Sequence, residues 1–271
     1  MDNKPNFRSS TSVQDLHNRI TDAASNGFMS QAVSDILVHN LDDQTVQATV
    51  QAVAPDQLDT EEAILLDFII DGSSSLSRHR DTVVDAMKAI VKDLQGYKQS
   101  DAMLVSAWEF NTQARLMFAH TKIKDVDKQL DAYNPNGCTA EYDAVEMGLT
   151  SARTYAQDLI DNGYRVRIIC IVFTDGEDNS SRTTPAKLKK LTQALTQEEI
   201  AVLALVGFTG ADGFSPKKMA DDIGFPNVLE LDFSSHDSVH DSIKKMTGMV
   251  SASVIRASQT TVAASQNSFF S

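Results

Sequence analysis

Five oxygen-bearing side chains are spaced as a hard cation would need them. Asp71 closes an apolar run of strand length, Ile64–Asp71, and Ser73 and Ser75 follow at alternate positions. Thr139 lies in the stretch 136–144, where a helical pattern opens. Asp175 ends a second apolar run that begins at Ile168, and Gly176 follows it. Carboxylates and hydroxyls without imidazole or thiolate suit magnesium or manganese better than zinc or copper. Magnesium takes six oxygens at about 2.0–2.1 Å and usually keeps some waters. Three motifs so far apart make one site only if the fold gathers them.

The surrounding pattern describes such a fold. From Glu61 onward, strand-like runs alternate with helical ones, which predicts an α/β domain with a largely parallel sheet covered on both faces. A helix is expected over 78–94, with Val83, Met87, Ile90 and Leu94 on one stripe and Gly96 as its stop. Strands follow at 103–110 and 114–119. Only Asn111, Thr112 and Gln113 separate them, and a parallel crossover needs a dozen or more residues, so this pair must be antiparallel. A helix at 142–160, a strand at 166–174, a helix from Thr184-Pro185 to Gln197 and a strand at 200–206 come next. Ser215-Pro216 opens a short helix that Gly224 ends, and a strand at 227–231 and a helix at 237–256 complete the series.

Asp71-x-Ser73-x-Ser75, then Thr139, then Asp175 within Thr174-Asp175-Gly176, resembles the metal-ion-dependent adhesion site (MIDAS) of the von Willebrand factor A (vWA) domain. The resemblance covers about residues 61–254. It implies a Rossmann-like, doubly wound, mostly parallel six-stranded sheet with one antiparallel edge strand and helices on both faces. In strand order 3-2-1-4-5-6 the first and fourth strands are neighbours, and the crevice at their C-terminal ends is where ligands bind. The resemblance implies Mg2+, with Mn2+ or Ca2+ as alternatives. It implies that the hydroxyls of Ser73, Ser75 and Thr139 hold the metal directly while Asp71 and Asp175 act through waters. One position then stays open for an Asp or Glu carboxylate of a protein partner, an interaction that needs no chemical step. Intracellular members of the family work beside AAA+ ATPases or in stress-resistance assemblies, and resemblance alone extends that partner class here. Ser74 and Cys138 stand where the family pattern often has glycine.

Other chemistries find less footing. The net charge of −13 argues against a nucleic-acid partner, whose phosphates need Lys and Arg. No Gly-x-Ser-x-Gly elbow surrounds Ser73 or Ser75, and no P-loop occurs. Asp71-Gly-Ser73 lacks the second aspartate of a dehalogenase-like phosphatase, so a metal-dependent hydrolase is the weaker reading. His236 and His240 stand four apart on the last expected helix without the adjacent Glu of a zinc protease, and they read as ordinary residues of a helix start. Glu177 and Asp178 read as a solvated loop. Asp67 is odd inside a buried strand and needs either a cationic neighbour or a place at the sheet margin.

Two cysteines, Cys138 and Cys170, give no disulfide framework. No apolar leader opens the chain, and no run approaches the length of a membrane span. A cytoplasmic, bacterial, non-membrane protein is the expectation. The chain divides into an N-terminal helical extension (1–59), the main domain (60–256) and a charge-free tail (257–271) expected to be disordered or a docking peptide. In the extension, Thr11–Gln14 offers a capping box, and amphipathic helices are expected to about Asn26-Gly27, over 30–41 and over 43–53. They read as packing on the main domain, with partner docking as the alternative.

Overall fold

The computed structural model describes residues 11–210 and 213–271; the side chains of His236, Asp237 and His240 are also outside the description. Three helices come first: α1 (Val13–Ser25), α2 (Gln31–Asn40) and α3 (Asp43–Gln51). Each has a side-chain cap that satisfies an otherwise unpaired N–H. Ser12 and Asp15 form a capping box on α1, one residue along from the expected start, while Ser30 caps α2 and Asp42 caps α3. The main domain follows with β1 (Glu62–Asp71), α4 (Arg80–Gln95), β2 (Met103–Phe110), β3 (Ala114–Lys122), α5 (Glu141–Asp161) and β4 (Arg165–Thr174). It continues with α6 (Pro185–Gln197), β5 (Ala201–Thr209), α7 (Pro216–Ile223), β6 (Asn227–Asp232), α8 (His236–Gln259) and a single turn, α9 (Val262–Ser265).

The sheet order is β3-β2-β1-β4-β5-β6, with β2 and β3 antiparallel and every other pair parallel. This is the order expected from the sequence, with the short Asn111–Gln113 connection enforcing the antiparallel pair. Period-two alternation divides the core. Leu65 and Ile69 of β1, with Ile168, Cys170 and Val172 of β4, join the face covered by α1–α3 and α5–α7. Leu66, Phe68, Ile70, Ile169, Ile171 and Phe173 join the face covered by α4 and α8. The aliphatic stripe of the extension (Ile20, Val33, Leu37) lies in the first of these cores, so the three helices pack on the main domain. Among the described residues, no helix is long and apolar enough to cross a membrane.

The loop expected between Ser73 and the helix is a 3-10 turn, Ser74–His79, and α4 begins at Arg80. One expectation needs correcting. The tail is folded back rather than disordered. Phe269 is buried in the α4/α8 core, and polar atoms from elsewhere tie the segment down. The Asn227 side chain donates to Gln266 O at 2.7 Å and accepts from Phe269 N at 2.9 Å, and Arg256 Nη2 donates to Phe269 O at 2.6 Å.

Candidate metal centre

The C-terminal edge of the sheet gathers the expected residues. Asp71 ends β1, Asp175 follows β4, and the two strands are direct parallel neighbours through Ile70 and Phe173. Asp71 is fully buried, and both carboxylate oxygens are engaged. Oδ1 accepts from Ser73 N at 2.8 Å, while Oδ2 accepts from Thr174 Oγ1 at 3.0 Å and Asp175 N at 3.4 Å. Burial raises the Asp71 pKa above the usual carboxylate value, and the bonds from Ser73, Thr174 and Asp175 offset part of that. The Tyr133 hydroxyl donates to the Asp71 carbonyl. Burial first, then the charges of Asp71, Glu109 and Asp175, raise the Tyr133 pKa and keep that phenol a donor.

From Asp71 a line of oxygens runs outward. Ser73 Oγ and Ser75 Oγ are 2.8 Å apart, and Ser75 Oγ donates to Asp175 Oδ1 at 2.8 Å. Thr139 approaches from the loop before α5 and lines the same cleft as Ser75 and Asp175. Its position is fixed by the loop after β4: Thr139 N donates to Asn179 Oδ1 at 3.0 Å, and its carbonyl accepts from Asn179 N and Ser180 N at 3.0 and 3.1 Å. The cleft is open to solvent, about 490 Å³, and Glu177, Asp178 and Phe214 complete much of its rim.

Glycine and serine set the loop geometry. A Cβ on Gly72 would lie 2.6 Å from Glu109 Cγ, so only glycine lets the chain pass from Asp71 to Ser73 beside β2. Gly72 N donates to Phe110 O at 2.7 Å, and its carbonyl accepts from Asn136 N at 2.6 Å, which joins the Asp71 and Thr139 loops. Gly137 has φ +82°, in the left-handed region, and a Cβ there would meet Thr112 Oγ1 at 2.6 Å. Ser74, one of the departures from the resembled motif, has a definite task. Its hydroxyl donates to Gly137 O at 3.0 Å and accepts from Gly137 N at 2.8 Å, clamping the loop that carries Thr139. Cys138 is exposed, and its N–H donates to Thr112 Oγ1 at 3.3 Å.

Two acids differ from their reading in the sequence. Asp178 is no free loop charge. Ala140, at the start of α5, offers no side-chain cap, and Asp178 Oδ2 accepts the orphan N–H of Tyr142 at 3.1 Å instead. Glu141, the first residue of α5, went unremarked in the sequence because an acid in a helix's first turn is ordinary. In the fold it has no solvent exposure, and neither carboxylate oxygen has a hydrogen-bond partner. Burial, then the Asp71 charge, drives its pKa well above the usual value.

The donor set fits a hard divalent cation. An octahedron with metal–oxygen bonds of about 2.0–2.1 Å has edges of about 2.9 Å, close to the 2.8 Å separating the Ser73 and Ser75 oxygens. Among the described residues no group of three or more His, Cys, Asp or Glu side chains could hold a metal by themselves, and the oxygens gathered here are hydroxyls as well as carboxylates.

The family model for the von Willebrand factor type A domain matches residues 66–247. Among solved structures, the D319A mutant of the PilB minor pilin from Streptococcus sanguinis superposes with TM-score 0.52 at 11% identity, covering 75% of this chain and 65% of that one. A von Willebrand factor type A protein from Catenulispora acidiphila gives 0.49 at 15% identity, covering 69% of this chain and 42% of that one. Proximal thread matrix protein 1 from the mussel byssus, in a form with a zinc-occupied MIDAS motif, gives 0.45 at 20% identity, covering 70% and 47%. This chain thus spans less than two thirds of each of those proteins. No curated protein matches it.

Proposed function

The chain belongs to the von Willebrand factor type A domain family, and from that premise we propose that it is a divalent-metal-dependent protein-interaction module. The carrying observation is the continuous line Asp71–Ser73–Ser75–Asp175, ending in an open cleft that Thr139 also lines. Ser73, Ser75 and Thr139 hold the cation through their hydroxyls. Asp71, whose two oxygens already serve internal donors, orients the loop and supplies charge; Asp175 supplies the second charge at the rim. The bound ion offers Lewis acidity to an incoming carboxylate. Mg2+ is the ion proposed, with Mn2+ or Ca2+ able to occupy the same oxygens.

The partner is a protein that presents an Asp or Glu, and no reaction is required. The described residues lining the cleft include no His, Lys or Cys, and of its carboxylates Asp175 is bonded to Ser75 and Asp178 caps α5. A cytoplasmic setting in a bacterium, beside an AAA+ ATPase or within a stress-resistance assembly, is the context we propose from the family resemblance.

The test is affinity capture from native extract with the wild type, Asp71→Ala and Thr139→Ala, with Mg2+ present or chelated. We expect a partner retained only by the wild type with Mg2+, while circular dichroism shows all three chains folded. Equal capture by every variant in every condition would move the binding surface elsewhere and reduce the metal site to a structural role.

A further inference from the structure

Glu141 faces Asp71 and Asp175 from the protein interior, and the proposed function leaves it unused. It heads α5 two residues after Thr139, is wholly buried, and has no partner at either oxygen. The Thr174 hydroxyl lies beside it, but that hydroxyl is directed at Asp71 Oδ2 at 3.0 Å. The other charges it faces are Asp71, Asp178 and Asp175, all of its own sign. Buried carboxylates in native proteins are hydrogen-bonded, paired or metal-linked. The N-terminal dipole of α5 supplies only a partial positive charge. A divalent ion in the adjoining cleft would supply the missing partner.

We propose that Glu141 is a positioning residue of the metal centre, whose carboxylate accepts hydrogen bonds from water held by the cation. This rests on reading the cleft as a divalent-cation site. An outer position, rather than direct ligation, is assigned because Glu141 has no solvent exposure and does not line the cleft. Glu141 thereby adds a third acidic group to Asp71 and Asp175, on the side of the site away from solvent. It also anchors the N-terminus of α5, and with it the Thr139 loop, to the bound ion.

The experiment is calorimetric titration of the full chain with MnCl2 and MgCl2. The variants are wild type, Glu141→Gln, Glu141→Leu and, as a loss-of-site control, Asp71→Ala. Melting temperatures are recorded in EDTA and in saturating metal. Gln keeps the shape of the side chain, and Leu fills the buried space without a polar atom, so two independent chains report. Groups around a metal's direct ligands are typically worth 10–100-fold in affinity. We expect both Glu141 variants to bind metal about tenfold more weakly than wild type, to melt in EDTA no lower than wild type, and to gain less from added metal. Wild-type affinity in both variants would overturn the inference and leave the proposed function standing. No metal binding by the wild type itself would overturn both.

Discussion

Asp67 sits in the middle of β1 without solvent exposure, flanked by Leu66 and Phe68. Its carboxylate is answered from β2, the neighbouring strand, and from β3 beyond it. Ser106 Oγ of β2 donates to Oδ1, and His120 Nε2 of β3 lies 3.2 Å from the same oxygen without an aligned hydrogen bond. The His120 ring stacks on Tyr155 of α5, with centroids 4.9 Å apart. Removing the carboxylate leaves buried polar groups of Ser106 and His120 without their partner, at a cost of about 1–3 kcal/mol. Asp67→Ala should therefore lower the urea-unfolding free energy by about 1–3 kcal/mol while leaving Mg2+ affinity unchanged, since Asp67 lies away from the cleft. A loss below about 1 kcal/mol would show that these contacts contribute little. That Asp67 needed either a cationic neighbour or a place at the sheet margin was legible in the sequence; which of the two was not. The β2–β3 register shifts between Val105 and Ala107, and such irregularities in pairing leave no mark in residue order. The same limit applies at the metal centre. Asp71, Ser73, Ser75, Thr139 and Asp175 lie in local patterns at strand and helix ends; each piece alone is weak, and the three in order carried the reading. Glu141 could not be picked out, because only burial distinguishes it from any acid at a helix start.

At the scale of elements, the six strands were legible because each is an apolar run bounded by polar turns, and the short connection at 111–113 decided the one antiparallel pair; the order of the strands came with the family resemblance. The C-terminal segment was misread for a related reason. Residues 257–271 carry no charge and are rich in Ser, Gln, Thr and Ala, and composition then argues for disorder. What orders them is borrowed from elsewhere in the chain. Asn227 on β6 and Arg256 on α8 hold the backbone around Phe269, and Gln266 Nε2 donates to Thr196 O at 2.7 Å. Phe269 in turn meets Phe270 edge-on at 4.9 Å. Emptying a core position of phenylalanine costs about 3–5 kcal/mol. Phe269→Ala should destabilise the chain by about 3 kcal/mol in denaturant titration, and should speed hydrogen exchange at the amides of 262–269 well beyond that of the central strands. Unaltered exchange and stability would show that the segment is dispensable.

At the scale of the whole molecule, the extension decides whether the vWA domain can stand alone. Leu16, Ile20, Val33, Leu37 and Ala48 are buried, and all but Leu16 share one core with Leu149, Ala152 and Leu159 of α5. Polar ties run along the same seam. Arg153 of α5, almost wholly buried, reaches Glu198 at 3.2 Å and the Phe28 carbonyl at 3.3 Å, and Glu198 also accepts from Ser30 N at 2.7 Å. Arg19 pairs with Asp158 at 2.7 Å, and the Tyr155 hydroxyl donates to Val53 O at 2.7 Å. A large aliphatic side chain loses about 1.5–3 kcal/mol when its burial is undone; stripping α1–α3 undoes several at once and leaves Arg153 short of a partner. Deleting residues 1–59 should thus cost on the order of 5 kcal/mol or more, with enhanced binding of an apolar dye and self-association on a sizing column. α5 carries Glu141 at its head and is the helix these three brace, so the shortened chain should also bind Mn2+ more weakly. A truncated chain with unchanged melting temperature and metal affinity would instead make the extension a separable module, free to serve a partner of its own.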